Sequence, residues 1–115
     1  MPNKKLFRCE IYDYTIVLNN RKLIMDNRII DYIITSNYIV LLTEFSGDYE
    51  TVYCYSSDFE LFWKVQPPDK KFYGQNRLPY TGLSFNGNIC VSDNLGRTFI
   101  IDDNGTITDM KCVRF

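Results

Sequence analysis

Val52-Tyr53-Cys54-Tyr55-Ser56-Ser57-Asp58-Phe59-Glu60-Leu61 lines up with Thr98-Phe99-Ile100-Ile101-Asp102-Asp103-Asn104-Gly105-Thr106-Ile107, 46 positions later. Each stretch reads as a strand, a polar turn and the start of another strand. Just upstream, Ile39-Val40-Leu41-Leu42 resembles Ile89-Cys90-Val91-Ser92 at an offset of 50, because the loop that follows is four residues longer in the first copy. The unit is strand, strand, turn, strand. Alternation places Val52 and Cys54 on one face and Tyr53 and Tyr55 on the other.

A period of 46–50 residues falls in the range of propeller blades. The stretch from Val52 to Val65, closing on Trp63-Lys64-Val65, resembles the third and fourth strands of such a blade. The resemblance spans about two blades, with a partial third at the N-terminus, and implies an architecture without implying an activity.

Outward from the repeat, turn signals recur roughly every ten residues: Asn19-Asn20, Asp26-Asn27, Ser36-Asn37, Ser46-Gly47-Asp48, Ser57-Asp58, Asn86-Gly87, Asn94-Leu95-Gly96 and Asn104-Gly105. Between them the spacing predicts strands at 6–12, 14–18, 21–25, 29–35, 38–44, 51–56, 60–65, 80–85, 88–92, 97–102 and 106–113. Tyr38-Ile39-Val40-Leu41-Leu42 is apolar on both faces, which predicts sheets stacked on both sides. The absence of Ala removes the best helix builder, and Ile, Val, Tyr, Phe and Thr favour strands. The one long connection, 66–79, contains Pro67-Pro68 and Asp69-Lys70-Lys71 and reads as an exposed loop between halves at 29–65 and 80–113.

The 115 residues make one domain, with 45% hydrophobic residues for a core. Eleven strands at four per blade give fewer than three blades, and closed propellers need about four or more. The expected fold is therefore all-β: an antiparallel meander of propeller-like hairpins, incomplete at two to three blade-like units. It would be an open partial propeller or a curled sheet or sandwich, with oligomerisation possible but not required. The expected core is Ile39, Leu41, Val52, Cys54, Leu61, Trp63, Ile89, Val91, Ile100 and Ile107.

The chain has no histidine, so the commonest general base and metal ligand is missing, and no Ser-His-Asp or Cys-His set can form. Cys9, Cys54, Cys90 and Cys112 lack zinc spacing and read as free thiols. Asp102-Asp103-Asn104-Gly105-Thr106 faintly resembles a calcium loop, but its glycine stands at position four instead of six, and Thr106 replaces an oxygen ligand. It reads as a type I′ hairpin instead. No catalytic residue, metal or cofactor is expected, and the chain reads as a binding protein, not an enzyme. A net charge of −1 does not suggest direct nucleic-acid binding. The start, Met1-Pro2-Asn3-Lys4-Lys5-Leu6-Phe7-Arg8, lacks an apolar signal core, and the longest uncharged run is too short to cross a membrane, so a cytoplasmic location is expected.

Charge placement is the informative feature. Between Arg28 and Lys64 there is no basic residue, while Asp31, Glu44, Asp48, Glu50, Asp58 and Glu60 give that window −6. Phe45, Tyr49, Tyr53, Tyr55 and Phe59 stand among them, offering anchors beside charges that would steer a basic partner. The expected contact residues are Glu44, Asp48, Tyr49, Glu50 and Asp58, with Asp93, Asp102 and Asp103 as a second acidic group.

A small β-protein with an acidic face, no catalytic inventory and an unclosed repeat resembles the immunity proteins of bacterial polymorphic-toxin and contact-dependent inhibition systems. The resemblance is one of type and rests on no signature residue. It implies a cognate basic toxin, of nuclease type, as partner, and acidic loops that cover its active site. The alternative is a lectin-like or scaffold protein stacking Trp63 and tyrosines on sugars; Asp109 at the position equivalent to Trp63 counts against it.

Overall fold

The computed structural model describes residues 9–112. Eleven strands follow in chain order: β1 (Cys9–Tyr12), β2 (Thr15–Leu18), β3 (Arg21–Ile24), β4 (Ile29–Ile34), β5 (Ile39–Thr43), β6 (Val52–Tyr55), β7 (Leu61–Lys64), β8 (Tyr80–Phe85), β9 (Ile89–Asp93), β10 (Arg97–Ile101) and β11 (Ile107–Cys112). Each has its expected counterpart in the sequence; residues 6–8 and 113 of the first and last expected strands lie outside the described residues. Every ladder is antiparallel, and the strands form three meander sheets: β1–β3, β4–β7 and β8–β11. None closes on itself. Among the described residues no helix is long and apolar enough to cross a membrane.

The middle sheet is covered on both faces. Every residue of β5 is buried. Ile39 and Leu41 pack with Ile16 and Leu18 of the first sheet, whereas Val40 and Leu42 pack with Val91, Phe99 and Ile101 of the third. Each such fully buried aliphatic side chain stabilises by about 1.5–3 kcal/mol, so β5 holds the three layers together. The predicted alternation in β6 is seen: Val52 and Cys54 join the core toward the third sheet, while Tyr53 and Tyr55 face the first.

The repeat is visible in backbone irregularities as well as in order. The β4–β5 register slips between Ile29 and Asp31, and the β8–β9 register between Tyr80 and Gly82, at equivalent positions. The β6–β7 ladder bulges at Cys54/Tyr55, and the β10–β11 ladder bulges at the equivalent Ile100/Ile101. The following turns also agree. Ser56 Oγ accepts the N–H groups of Asp58 and Glu60, each at 3.1 Å. Asp102 Oδ1 accepts those of Asn104 and Thr106, each at 2.9 Å.

Three expectations are corrected. The 102–106 hairpin is not type I′: there only Gly105 takes a positive φ, and the Asp102 carboxylate holds the turn with a bulge behind it. The type I′ signature, positive φ at both central residues, belongs to Asn19-Asn20 between β2 and β3. Leu61 is exposed (55%), although its equivalent Ile107 is buried. Leu61 pairs with Tyr55 on the side facing the three-stranded first sheet, beyond what those strands cover. Ile100 is half-buried on the outer face of the third sheet; Phe99 and Ile101 point inward in its place.

The 66–79 connection is largely exposed, as expected, with a short 3₁₀ turn at Lys70–Phe72 capped by Asp69. Two polar links tie the second and third sheets. Asp31 Oδ2 accepts the Leu83 N–H at 2.7 Å, and Gly105 O accepts the Gln66 N–H at 2.8 Å.

Candidate partner-binding surface

The β5–β6 loop carries the densest group of expected contact residues. It leaves the buried β5 at Thr43, whose N–H donates to Thr51 O at 2.9 Å and closes the neck of the loop. Ser46-Gly47-Asp48 then turns the chain, with Gly47 at φ 101°. Asp48 Oδ1 accepts the Glu50 N–H at 2.9 Å, and Oδ2 accepts the Lys64 ammonium at 2.9 Å. The Glu50 N–H, and after it the Lys64 ammonium, holds the Asp48 carboxyl below its ordinary range. The Phe45 and Tyr49 rings meet at 4.8 Å between centroids. Phe45 is 38% exposed and Tyr49 half-buried, so the aromatic pair reaches the surface of the loop.

Arg77, from the long connection, braces this loop from behind. Its guanidinium pairs with Glu50 and lies 4.7 Å from the Tyr49 ring centroid and 5.5 Å from that of Tyr73. The pair is mostly shielded from solvent, so it fixes the loop more firmly than a surface pair would. Beneath it the Tyr80 hydroxyl is buried and is the one such side-chain atom without a hydrogen-bond partner among the described residues. Burial pushes that phenol up, and the Arg77 guanidinium opposes the shift.

Cations from outside the acidic window meet most of its carboxylates. Glu44 pairs with Arg28 at 3.5 Å, Asp48 with Lys64, Glu50 with Arg77, and Asp58 with Arg21 at 3.7 Å. Counting charge along the chain missed these four cations, because antiparallel neighbours bring distant residues together. Lys64 was legible in principle: β7 follows β6 by a hairpin, which returns Lys64 to the foot of the loop opposite Tyr53. Arg77 left no comparable signal.

The eight expected residues do not form one patch. Glu44, Asp48, Tyr49 and Glu50 lie at one end of the middle sheet; Asp58, in the β6–β7 turn, lies at the other. In the third sheet Asp93 and the Asp102-Asp103 pair are likewise at opposite ends. Asp93 stands beneath the surface, its side chain 1% exposed. It accepts Arg97 Nε at 2.8 Å and the N–H groups of Leu95 and Arg97 at 3.0 and 3.2 Å. Arg97 in turn donates to the Tyr73 and Asn76 carbonyls at 3.1 and 2.6 Å, so this pair anchors the long connection. Asp102 is committed to its turn. Asp103 is exposed and lines a cavity of about 180 Å³ with Tyr38, Phe85, Asn88 and Ile101. Burial, then the nearby Cys54 and Asp103, raises the Tyr38 phenol.

Trp63, the ring a sugar would stack on, is 8% exposed. Gly105 lies so close over it that a Cβ there would stand 2.9 Å from Trp63 Cε3. No family model matches the chain, and no curated protein does.

Proposed function

We propose that this chain is a protein-binding immunity protein that neutralises a cognate basic toxin, and that the β5–β6 loop is the centre of the contact. The observation that carries the reading is the braced loop itself, which holds the Phe45–Tyr49 pair and also carries Glu44, Asp48 and Glu50. An aromatic anchor already held in place loses little entropy on binding, and carboxylates on the same loop steer a cationic partner. The Glu44–Arg28 and Asp48–Lys64 pairs are exposed, and such pairs contribute only about 0–1 kcal/mol. A partner's lysines or arginines can share or displace those cations at small cost. On a nuclease, whose active site is basic because it holds phosphate, the loop would cover that site as an acidic plug.

The chain acts by binding, with no catalytic step or cofactor of its own, and it acts in the cytoplasm, where such a toxin would arrive. We read the three meanders as successive blade-like units of an open propeller. The repeated bulges, the repeated turns and the stacking of equivalent faces support that reading.

The test is binding to the toxin domain encoded beside this gene, measured by calorimetry at several salt concentrations. Glu44→Lys with Asp48→Lys should weaken the complex at least about tenfold and flatten its salt dependence. Phe45→Ala should weaken it further through loss of the anchor. If a proven partner binds the folded double variant as tightly as the parent, the acidic-loop mechanism is wrong even where the partner is right.

A further inference from the structure

The two ends of the stack differ chemically. The outer face of the third sheet carries the rows Gly82–Ser92–Thr98–Lys111 and Ser84–Cys90–Ile100–Asp109. At equivalent positions the middle sheet has Leu42 where the third has Ser92, Val52 where it has Thr98, and Trp63 where it has Asp109. Three of the residues that receive a further sheet are thus replaced by polar ones, as in the terminal units of repeat proteins, while Cys90 and Ile100 stand where the middle sheet has Val40 and Cys54.

At the other end, the outer face of the first sheet mixes charged and apolar side chains. Its rows are Glu10–Val17–Lys22 and Tyr12–Thr15–Ile24. Tyr12 and Ile24 are 53% and 67% exposed, and Val17 lies between the two charges. We propose that this face pairs with the same face of a second copy of the chain, in a back-to-back dimer about a twofold axis running along β2.

The register carries the argument. Two sheets packed face to face with strands nearly aligned lie about 10 Å apart. A twofold axis along β2 sets β1 of one copy over β3 of the other without shifting the rows. Glu10 then faces the second copy's Lys22, and Lys22 its Glu10. Tyr12 faces Ile24 in the same way, twice. Val17 and Thr15, on the axis, meet their own counterparts. One rotation therefore satisfies both rows, charge against opposite charge and apolar against apolar, as an isologous interface requires. The Tyr12 hydroxyl already bonds to Glu10 and orients that carboxylate along the face.

The patch is three strands wide and four residues long, roughly 14 by 13 Å. That is smaller than the roughly 800 Å² per partner of a standard interface, so the dimer dissociates readily, with a Kd in the micromolar to millimolar range. The β5–β6 loop is not part of the face, and the dimer neither requires nor excludes the toxin reading.

Sedimentation equilibrium of the full chain alone, from roughly 10 µM to 1 mM, tests it. A monomer–dimer equilibrium is expected. Lys22→Glu should weaken it at least about tenfold, by setting like charges against each other twice. The exchange Glu10→Lys with Lys22→Glu should restore it to within about threefold. Ile24→Glu should abolish it, with the thermal transition keeping each variant's folding in view. A strict monomer across the range overturns the proposal. A dimer indifferent to Lys22→Glu and Ile24→Glu overturns it too, because association then uses another face.

Discussion

Phe59 and Gly105 occupy the same position in two copies of one turn, at φ 65° and φ 82°. Both N–H groups donate to the residue three before, Phe59 to Ser56 O and Gly105 to Asp102 O. A left-handed backbone costs a residue with a Cβ about 1–2 kcal/mol, and glycine nothing. Phe59 tolerates the strain because its ring packs against the core between the first and middle sheets.

The usual ranking of small substitutions should therefore invert at Phe59. Both Phe59→Ala and Phe59→Gly lose the ring, but only the glycine variant also loses the strain. Urea denaturation should find Phe59→Gly the more stable of the two by about 1 kcal/mol. An alanine variant of equal or greater stability would show that the turn does not hold this conformation. At Gly105, alanine meets both the backbone penalty and the Trp63 ring, and should cost about 2 kcal/mol or more.

Arg97→Met should cost about 3–5 kcal/mol, since it leaves the Asp93 carboxylate buried without its cation. It also frees the Tyr73 and Asn76 carbonyls, so the 66–79 connection should loosen. Limited trypsin digestion reads this directly: cleavage after Lys70 or Lys71 should accelerate before the rest of the chain is cut. A variant with parental stability and an unchanged cleavage pattern would remove the anchoring role.

Leu61 and Ile107 are equivalent in the repeat and opposite in burial. Ile107→Ala should destabilise by about 2–5 kcal/mol, whereas Leu61→Ala should stay within about 0.5 kcal/mol. Chemical denaturation of the two variants side by side decides it. Equal costs would place Leu61 in the interior.

Cys54 should be inert toward maleimide in the native protein and reactive in denaturant. Burial, and after it the Asp103 carboxylate, pushes its thiol from 9.0 up to about 11. The folded state thus favours the neutral thiol. That contribution is fully present below pH 9, the value for the unfolded chain, and is lost as pH rises through about 11. Replacing Cys54 with Val should flatten the alkaline limb of the stability curve. An unchanged limb would assign the alkaline loss to other groups.

The amino-acid sequence by itself determined the strands and their meander order. Those features rest on local physics: period-two alternation, β-branched and aromatic preference, and turn residues spaced one strand apart. The double-sided burial of β5 was legible for the same reason, since Ile39-Val40-Leu41-Leu42 has no polar face to give to solvent. The repeat between Val52–Leu61 and Thr98–Ile107 was legible down to the turn, though not the substitution of Phe59 for a glycine as a strained site.

Tertiary structure alone decided what depends on neighbours distant in sequence. Leu61 and Ile107 look alike in sequence, but a three-stranded sheet lies on one side and a four-stranded sheet on the other. Asp93 and Asp103 carry the same charge, yet Arg97 and the long connection bury one and leave the other in solvent. The acidic window between Arg28 and Lys64 has no basic residue along the chain. In space Arg21, Arg28, Lys64 and Arg77 reach its carboxylates, because charges interact through distance and not through sequence separation.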